Sequence, residues 1–198
     1  MKILAFSDVH NDLDACASIV ERSADVDVVI GAGDFASVHD GLQETIDALA
    51  SIRKPTILVP GNNETAEALR IATEGWESAD VLHGQGHIID GVEFFGLGGG
   101  IPTTPWDWSF DVTEEEATGL IEGRVPEGGV LVLHSPPYGY GDEAGGTHFG
   151  SEALLKAIEA AKPALVVYGH IHESWGYRGQ IGDTRLANLG PKGDVFTV

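Results

Sequence analysis

Asp8 and His10 stand as Asp-Val-His directly after an apolar run, Lys2–Phe6. Asp34 closes Gly31-Ala32-Gly33-Asp34, and Asn62 lies in Gly61-Asn62-Asn63-Glu64. His134 ends the run Val130–Leu133. His170 and His172 follow Leu165–Tyr168, in Gly169-His170-Ile171-His172. All seven offer the oxygen or nitrogen donors that hold a metal ion. Imidazole, carboxylate and amide together suit Mn, Fe, Zn or Ni better than Ca. One carboxylate can bridge two cations, and Asp34, with glycine before it, is the candidate bridge. If the chain is still extended, Asp8 and His10 point the same way, and so do His170 and His172. A lone histidine is usually surface or packing, and Asp or Asn after a strand is ordinary turn chemistry. Five such clusters, each at a strand end, are hard to obtain from turn preference alone.

The elements that position these donors read as alternating strands and helices. Strands are expected over Lys2–Phe6, 26–30 and 56–59. Between them Leu13, Cys16, Ala17 and Val20 mark one helical face, and Leu42, Ile46 and Leu49 a second. Asp12 and Asp40 are candidate N-caps or N-terminal charges. Residues 87–90 and Val92–Leu97 flank Gly91 as a hairpin, and 98–110 is a Gly, Pro and Trp loop. Thr113 and Glu116 form a capping-box pattern that opens a helix over 113–122. A strand over 130–134, a helix over 151–161 stopped by Pro163, and a strand over Leu165–Tyr168 follow. Residues 175–180, 185–189 and 194–198 read as short antiparallel strands. A βαβαβ start with such a tail implies two packed sheets with helices outside. In open α/β sheets the carboxyl ends of the strands share the edge where ligands bind, so the donors would converge on one rim.

Composition bounds the partners. The chain has 198 residues, enough for one domain over 1–198 with a buried core. It carries 31 Asp+Glu against 11 Lys+Arg, a net charge of −20. No basic stripe exists for duplex nucleic acid, and an anionic membrane surface would repel the protein. An anionic substrate needs local positive charge, and bound divalent cations are the obvious source. The acidic balance reads either as a solvated surface or as adaptation to high intracellular salt. The apolar runs are too short to span a bilayer. Cys16 is the single cysteine, so no intramolecular disulfide forms. Met1-Lys2 leads into a strand without a signal-peptide pattern. The expectation is a cytoplasmic protein, with a homo-oligomer left open.

Asp8-x-His10, Gly33-Asp34, Gly61-Asn62, His134 and Gly169-His170-x-His172 together resemble the calcineurin-like metallophosphoesterases, in family order and over nearly the whole chain. The resemblance implies a four-layer α/β/β/α sandwich with two mixed β-sheets. It implies two divalent metal ions, Mn first, with Fe, Zn or Ni as alternatives. Asp8, His10, Asp34 and His172 would hold one, and Asp34, Asn62, His134 and His170 the other. It also implies hydrolysis of a small phosphate ester, a phosphodiester favoured. Attack would come in line from a hydroxide shared by cations about 3.5–4 Å apart. A non-catalytic metal-binding scaffold or protein-interaction module on the same fold, as in the retromer subunit, is the alternative. Seven metal-competent positions argue against it.

One position departs from the family. Many members have Gly-Asn-His at the third block, and that histidine is thought to protonate the leaving group. Here it is Asn63. An amide cannot donate a proton at a useful pKa, although it can hydrogen-bond a phosphate oxygen. General acid catalysis contributes ~10²–10⁴-fold. Either the substrate has a good leaving group, or another acid substitutes, with His148 the first candidate, or the protein mainly binds. His39 could reach the rim, whereas His83 and His87 read as structural or exposed. Trp106 and Trp108 either pin their loop or offer a face for a planar leaving group, and Tyr138 and Tyr140 share that ambiguity. Glu64 reads as a charge at the start of the next helix.

Overall fold

Strands buried on both faces need apolar residues at every position, and the runs in this chain have them. The computed structural model describes residues 1–198. From the N-terminus the elements are β1 (Lys2–Phe6), α1 (Leu13–Ser23), β2 (Val28–Gly31), α2 (Leu42–Leu49), β3 (Thr56–Leu58) and α3 (Ala66–Ala72). Next come β4 (Ala79–Val81), β5 (Gln85–Ile89), β6 (Val92–Leu97), α4 (Glu114–Ile121) and β7 (Val130–Leu133). Then follow β8 (Glu143–Ala144), β9 (Thr147–His148), α5 (Glu152–Ala161) and β10 (Leu165–Tyr168). A single 3-10 turn, His172–Ser174, leads to β11 (Arg178–Ile181), β12 (Thr184–Asn188) and β13 (Asp194–Thr197).

Two mixed sheets result. The first has the order β13-β1-β2-β3-β4, and the second β11-β12-β10-β7-β6-β5. Strands β1 to β4 are parallel, with β13 antiparallel beside β1. In the second sheet β12, β10, β7 and β6 are parallel, with antiparallel β11 and β5 at the edges. Alternate residues of each strand serve different layers, because the side-chain period is two. Ile3, Ala5, Val28 and Ile30 meet Phe94, Val130, Val132 and Val167 between the sheets. Leu4, Phe6, Val29 and Leu58 turn outward against Cys16, Ile19, Ile46 and Leu69 of α1, α2 and α3. Phe95, Leu131 and Val166 turn outward against Ala117, Ile121, Leu154 and Ile158 of α4 and α5. These three apolar clusters define the α/β/β/α order. No helix is long and apolar enough to cross a membrane.

Several local expectations change. Asp12 does cap α1, accepting from Ala15 N, and Thr113 and Glu116 form the full capping box of α4. Asp40 caps nothing: Gly41 occupies the N-cap of α2, and Asp40 exchanges backbone hydrogen bonds with Ser37. The strand expected over 175–180 starts only at Arg178, because Trp175 ends the 3-10 turn. The strand expected over 185–189 is antiparallel to β11 but parallel to β10. Strand β4 and the β8–β9 hairpin had no counterpart in the periodicity; they are three and two residues long, too short for a pattern.

Candidate metal centre

The donor blocks do not leave their strands extended. Asp8, His10, Asp34 and His170 have φ of 54°, 40°, 58° and 69°, in the left-handed region. Each such residue costs of order 1–3 kcal/mol and persists only where the surroundings hold it. Here the hold is visible. Asp8 N donates to Gly33 O at 2.9 Å and His10 N to Asp34 O at 3.0 Å. His170 N donates to Asp8 Oδ1 at 3.0 Å. The chain is not extended at His170, so the condition under which His170 and His172 would point the same way is not met. The turn sends them to different partners. Glycine is required beside the centre by close approach: a Cβ on Gly61 would overlap the Asp34 carboxylate, and one on Gly169 the Asp8 carboxylate.

Two triads form. The ligand atoms of Asp8, His10 and His172 lie within 4.8 Å of one another, and so do those of Asp34, His134 and His170. Asp34 connects them. Its Oδ2 is 3.5 Å from His10 Nε2 in one triad, and its Oδ1 is 3.4 Å from His134 Nε2 in the other. Asn62 turns its Oδ1 to His134 Nε2 at 3.2 Å, while its Nδ2 donates to Ser109 Oγ at 3.0 Å. His10 Nε2 and His172 Nε2 are 3.2 Å apart. Two imidazoles are fixed from behind: His10 Nδ1 donates to Ala36 O at 3.0 Å and His134 Nδ1 to Ala32 O at 2.9 Å. That backing leaves each Nε2 free toward the cluster, the arrangement that metal-bound histidines use. The donor set therefore fits two transition-metal ions. A neutral imidazole is the ligating form. Burial, with His134 beside it, pushes His170 down to about 3. Burial raises Asp8. For Asp34 burial also opposes the charge, but His134, His10 and His170 outweigh it and hold the carboxyl below its ordinary value.

Three residues around the ligands took on roles that their sequence positions did not announce. Glu64 is buried, and Thr65, not Glu64, caps α3. The Glu64 carboxylate instead accepts from Asp34 N at 2.9 Å, Ala36 N at 3.0 Å and Gly61 N at 2.6 Å, clamping the loops after β2 and β3 together. Burial and the nearby Asp34 push its pKa up to about 7. Asn63 is also buried. Its Nδ2 donates to Asp34 Oδ2 at 2.8 Å and its Oδ1 accepts from Val38 N at 2.8 Å, so it holds the Asp34 carboxylate in place. Trp175 donates from Nε1 to Asp8 Oδ2 at 3.2 Å, and its ring packs 4.3 Å from that of His172. Glu64 and Asn63 follow the Gly-Asn motif directly, which is the one signal that could have marked them. Trp175 carried none.

The remaining candidates scatter. His148 lies in β9, with Nδ1 2.8 Å from Asp142 Oδ1. His39 donates from Nε2 to Trp108 O at 2.7 Å rather than reaching the triads. Trp106 and Trp108 stack on each other at 5.5 Å, and Trp106 is exposed. Their loop is tied to the rim, since Phe110 N donates to Asn62 O at 2.9 Å. His83 accepts from Gly98 N at 3.4 Å, and His87 faces Asp80 at 3.6 Å.

A family model described as calcineurin-like phosphoesterase matches residues 1–174. A UPF0046 protein of Caenorhabditis elegans is 28% identical over 218 residues, spanning 95% of this chain and 69% of that protein. Among solved structures, TT1561 of Thermus thermophilus aligns with a TM-score of 0.77 at 19% identity, covering 96% of this chain and 90% of that one. An archaeal phosphodiesterase aligns with a TM-score of 0.55 at 21% identity, covering 96% and 84%. At these identities the two structures establish likeness of fold.

Proposed function

This chain belongs to the calcineurin-like phosphoesterase family, and from that premise we propose that it is a one-domain, metal-dependent enzyme hydrolysing small phosphodiesters. The observation that carries the reading is Asp34, whose two carboxylate oxygens address one histidine in each triad. Asp8, His10, Asp34 and His172 would hold one divalent ion, and Asp34, Asn62, His134 and His170 the other. Bound in this way, two such ions supply an activated water for in-line displacement and offset the charge of the phosphate oxygens. The protein's own contribution is placement. His10 and His134 are locked by backbone carbonyls, Asn63 holds the bridge, and Glu64 joins the loops that carry the bridge and Asn62.

Charge supports a diester over a monoester. No arginine or lysine side chain hydrogen-bonds any of the seven donor residues; their bonds end at Lys192, Gly84, Glu152 and Thr197 among others. A dianionic monoester would call for further cationic partners at the site, whereas a monoanionic diester needs only the metals. The shared fold of the archaeal phosphodiesterase is consistent with this. The alternative is a binding scaffold recruited through its aromatic loop, where Trp106 is half exposed.

The test is hydrolysis of bis-p-nitrophenyl phosphate by metal-stripped protein, with and without Mn²⁺, at low and molar KCl. Turnover that appears only with metal is the expected result. A folded, metal-loaded protein inert with Mn²⁺, Fe²⁺, Zn²⁺ and Ni²⁺ would transfer the reading to the scaffold.

A further inference from the structure

Beside the triads lies a cavity of about 640 Å³, lined by loop glycines with Asp142, His148, Glu173, Trp175 and Tyr177. Trp175 is the wall shared with the metal centre, through its contacts to Asp8 and His172. The other side is the segment around the β8–β9 hairpin, held to the 3-10 turn by Gly145 N donating to Glu173 Oε2 and Ser174 Oγ donating to Glu143 O, both at 2.9 Å. The cavity thus meets the metal centre at Trp175.

Within it, His148 is built as a proton donor. Its Nδ1 donates to Asp142 Oδ1 at 2.8 Å. Asp142 is 1% exposed, and its second oxygen accepts from Gly139 N at 2.9 Å and Gly150 N at 3.0 Å. A buried carboxylate fixed by three hydrogen bonds orients the ring and leaves Nε2 unbonded, on a side chain 42% exposed. The other histidines are committed elsewhere. Four lie in the triads, and His39, His83 and His87 are engaged with Trp108, Gly98 and Asp80. Asn63 cannot serve, since it is an amide turned toward Asp34.

We infer that His148 is the catalytic acid that protonates the leaving oxygen, that Asp142 positions it, and that this cavity seats the leaving alcohol. The inference rests on the phosphoesterase reading. In the step, the phosphorus–oxygen bond to the alcohol breaks while water oxygen forms the new one. The Nε2 proton passes to the departing oxygen, and the neutral imidazole recovers a proton from solvent. One diester and one water give one phosphate monoester and one alcohol, with no redox change.

The lining also selects the alcohol. It presents the carboxylates of Glu143 and Glu173 with the rings of Trp175 and Tyr177, and no lysine or arginine. Such a wall repels a leaving group bearing a second phosphate. It accepts a neutral polyol or an amino alcohol, whose ammonium gains from carboxylates and aromatic faces. The titratable groups facing His148 are Asp142, Glu143 and Tyr138 of its own segment and, across the cavity, Glu173 and Tyr177. The hydrogen bond and charge of Asp142 raise its pKa above the ordinary value. The acid form is therefore present below that raised pKa, and alkyl-ester turnover should fall as pH rises through it.

The test compares two diesters on the full-length Mn²⁺-loaded protein: bis-p-nitrophenyl phosphate, whose aryl oxide leaves unaided, and glycerophosphoethanolamine, whose alkoxide does not. His148→Gln should cut kcat for the alkyl diester by ~10²–10⁴, at least tenfold more than for the aryl one, and remove the basic limb of its pH profile. Asp142→Asn should shift that limb to lower pH. In metal-free protein, NMR titration should place the His148 ring midpoint above about 6.5, falling in Asp142→Asn, and added ethanolamine should perturb the His148 and Trp175 signals. Equal losses on both diesters, a retained basic limb, or a wild type that turns over only the aryl diester would overturn this inference while leaving the phosphoesterase reading standing. A wild type inert toward the aryl diester removes both.

Discussion

The two halves of the candidate centre differ in their depth. Asp34, Asn62 and His134 are 2%, 2% and 0% exposed. In the other half, the His10 and His172 side chains are 25% and 50% exposed. The closed half is fastened by Glu64, Asn63 and the carbonyl of Ala32, all drawn from the loops of the first sheet. The open half is backed by Ala36 O on His10 and by Trp175 on His172. The closed half therefore doubles as part of the core, whereas His10 and His172 of the open half reach solvent. Disturbing the first should cost folding as well as chemistry, and disturbing the second should cost chemistry alone.

Asp34→Asn should have the largest effect, because this residue belongs to both halves. Loss of the proposed bridging carboxylate should remove several kcal/mol of transition-state stabilisation, on the order of 10³ in metal-dependent kcat. Metal content per chain should fall with it, and a variant still binding two equivalents would remove Asp34 from the role of bridge. The contrast itself is tested by His134→Ala against His172→Ala in metal-free protein. The first empties a fully buried site and should cost about 3 kcal/mol in urea unfolding. The second, half exposed, should cost less than about 1 kcal/mol. Equal losses would show that depth does not divide the halves.

Glu64→Gln places an amide where a carboxylate accepted three backbone N–H groups. A stability loss of about 1–3 kcal/mol is expected, and an unchanged unfolding midpoint would mean the loops hold without the clamp. The smallest effect is expected from Asn63→Ala, which frees one oxygen of Asp34 but leaves every ligand in place. Metal affinity should drop about 10–100-fold by calorimetry. If affinity held while only kcat fell, Asn63 would touch substrate after all.

Much of this was readable in advance, for identifiable reasons. The runs Lys2–Phe6, Val130–Leu133 and Leu165–Tyr168 are apolar throughout, so their strands were plain, and Thr113 with Glu116 announced α4 through chemistry confined to one turn. Of the two roles open to Asp40, the cap is excluded, because an acidic residue ahead of a helix is only a cap if its backbone allows it, and here Gly41 takes the position at φ 73°. The direction of β12 was hidden because it depends on β10, not on its own residues. Glu64 read as a helix-terminal charge because nothing local reveals that Ala36, 28 positions away, donates to it. His170 and His172, which the resemblance alone assigns to different ions, lie in different triads because His170 has φ 69° and His172 opens a 3-10 turn.

The sequence by itself determined the donors, their order and their placement at strand ends, because side-chain chemistry and the two-residue strand period are local properties. It also determined the acidic balance that leaves neutralisation of a phosphate to bound cations. Only the tertiary structure decided which donors meet. Asp8, His10, Asp34 and Asn62 come from the first sheet, and His134, His170 and His172 from the second, so each triad contains members of both. Neither exists until Ile3, Val28 and Ile30 bury against Val130, Val132 and Val167. That docking also sustains the left-handed turn at His170, whose N–H reaches Asp8 across 162 positions of sequence. A contact of that separation is set by the packing of two apolar faces, and no window of neighbouring residues contains it.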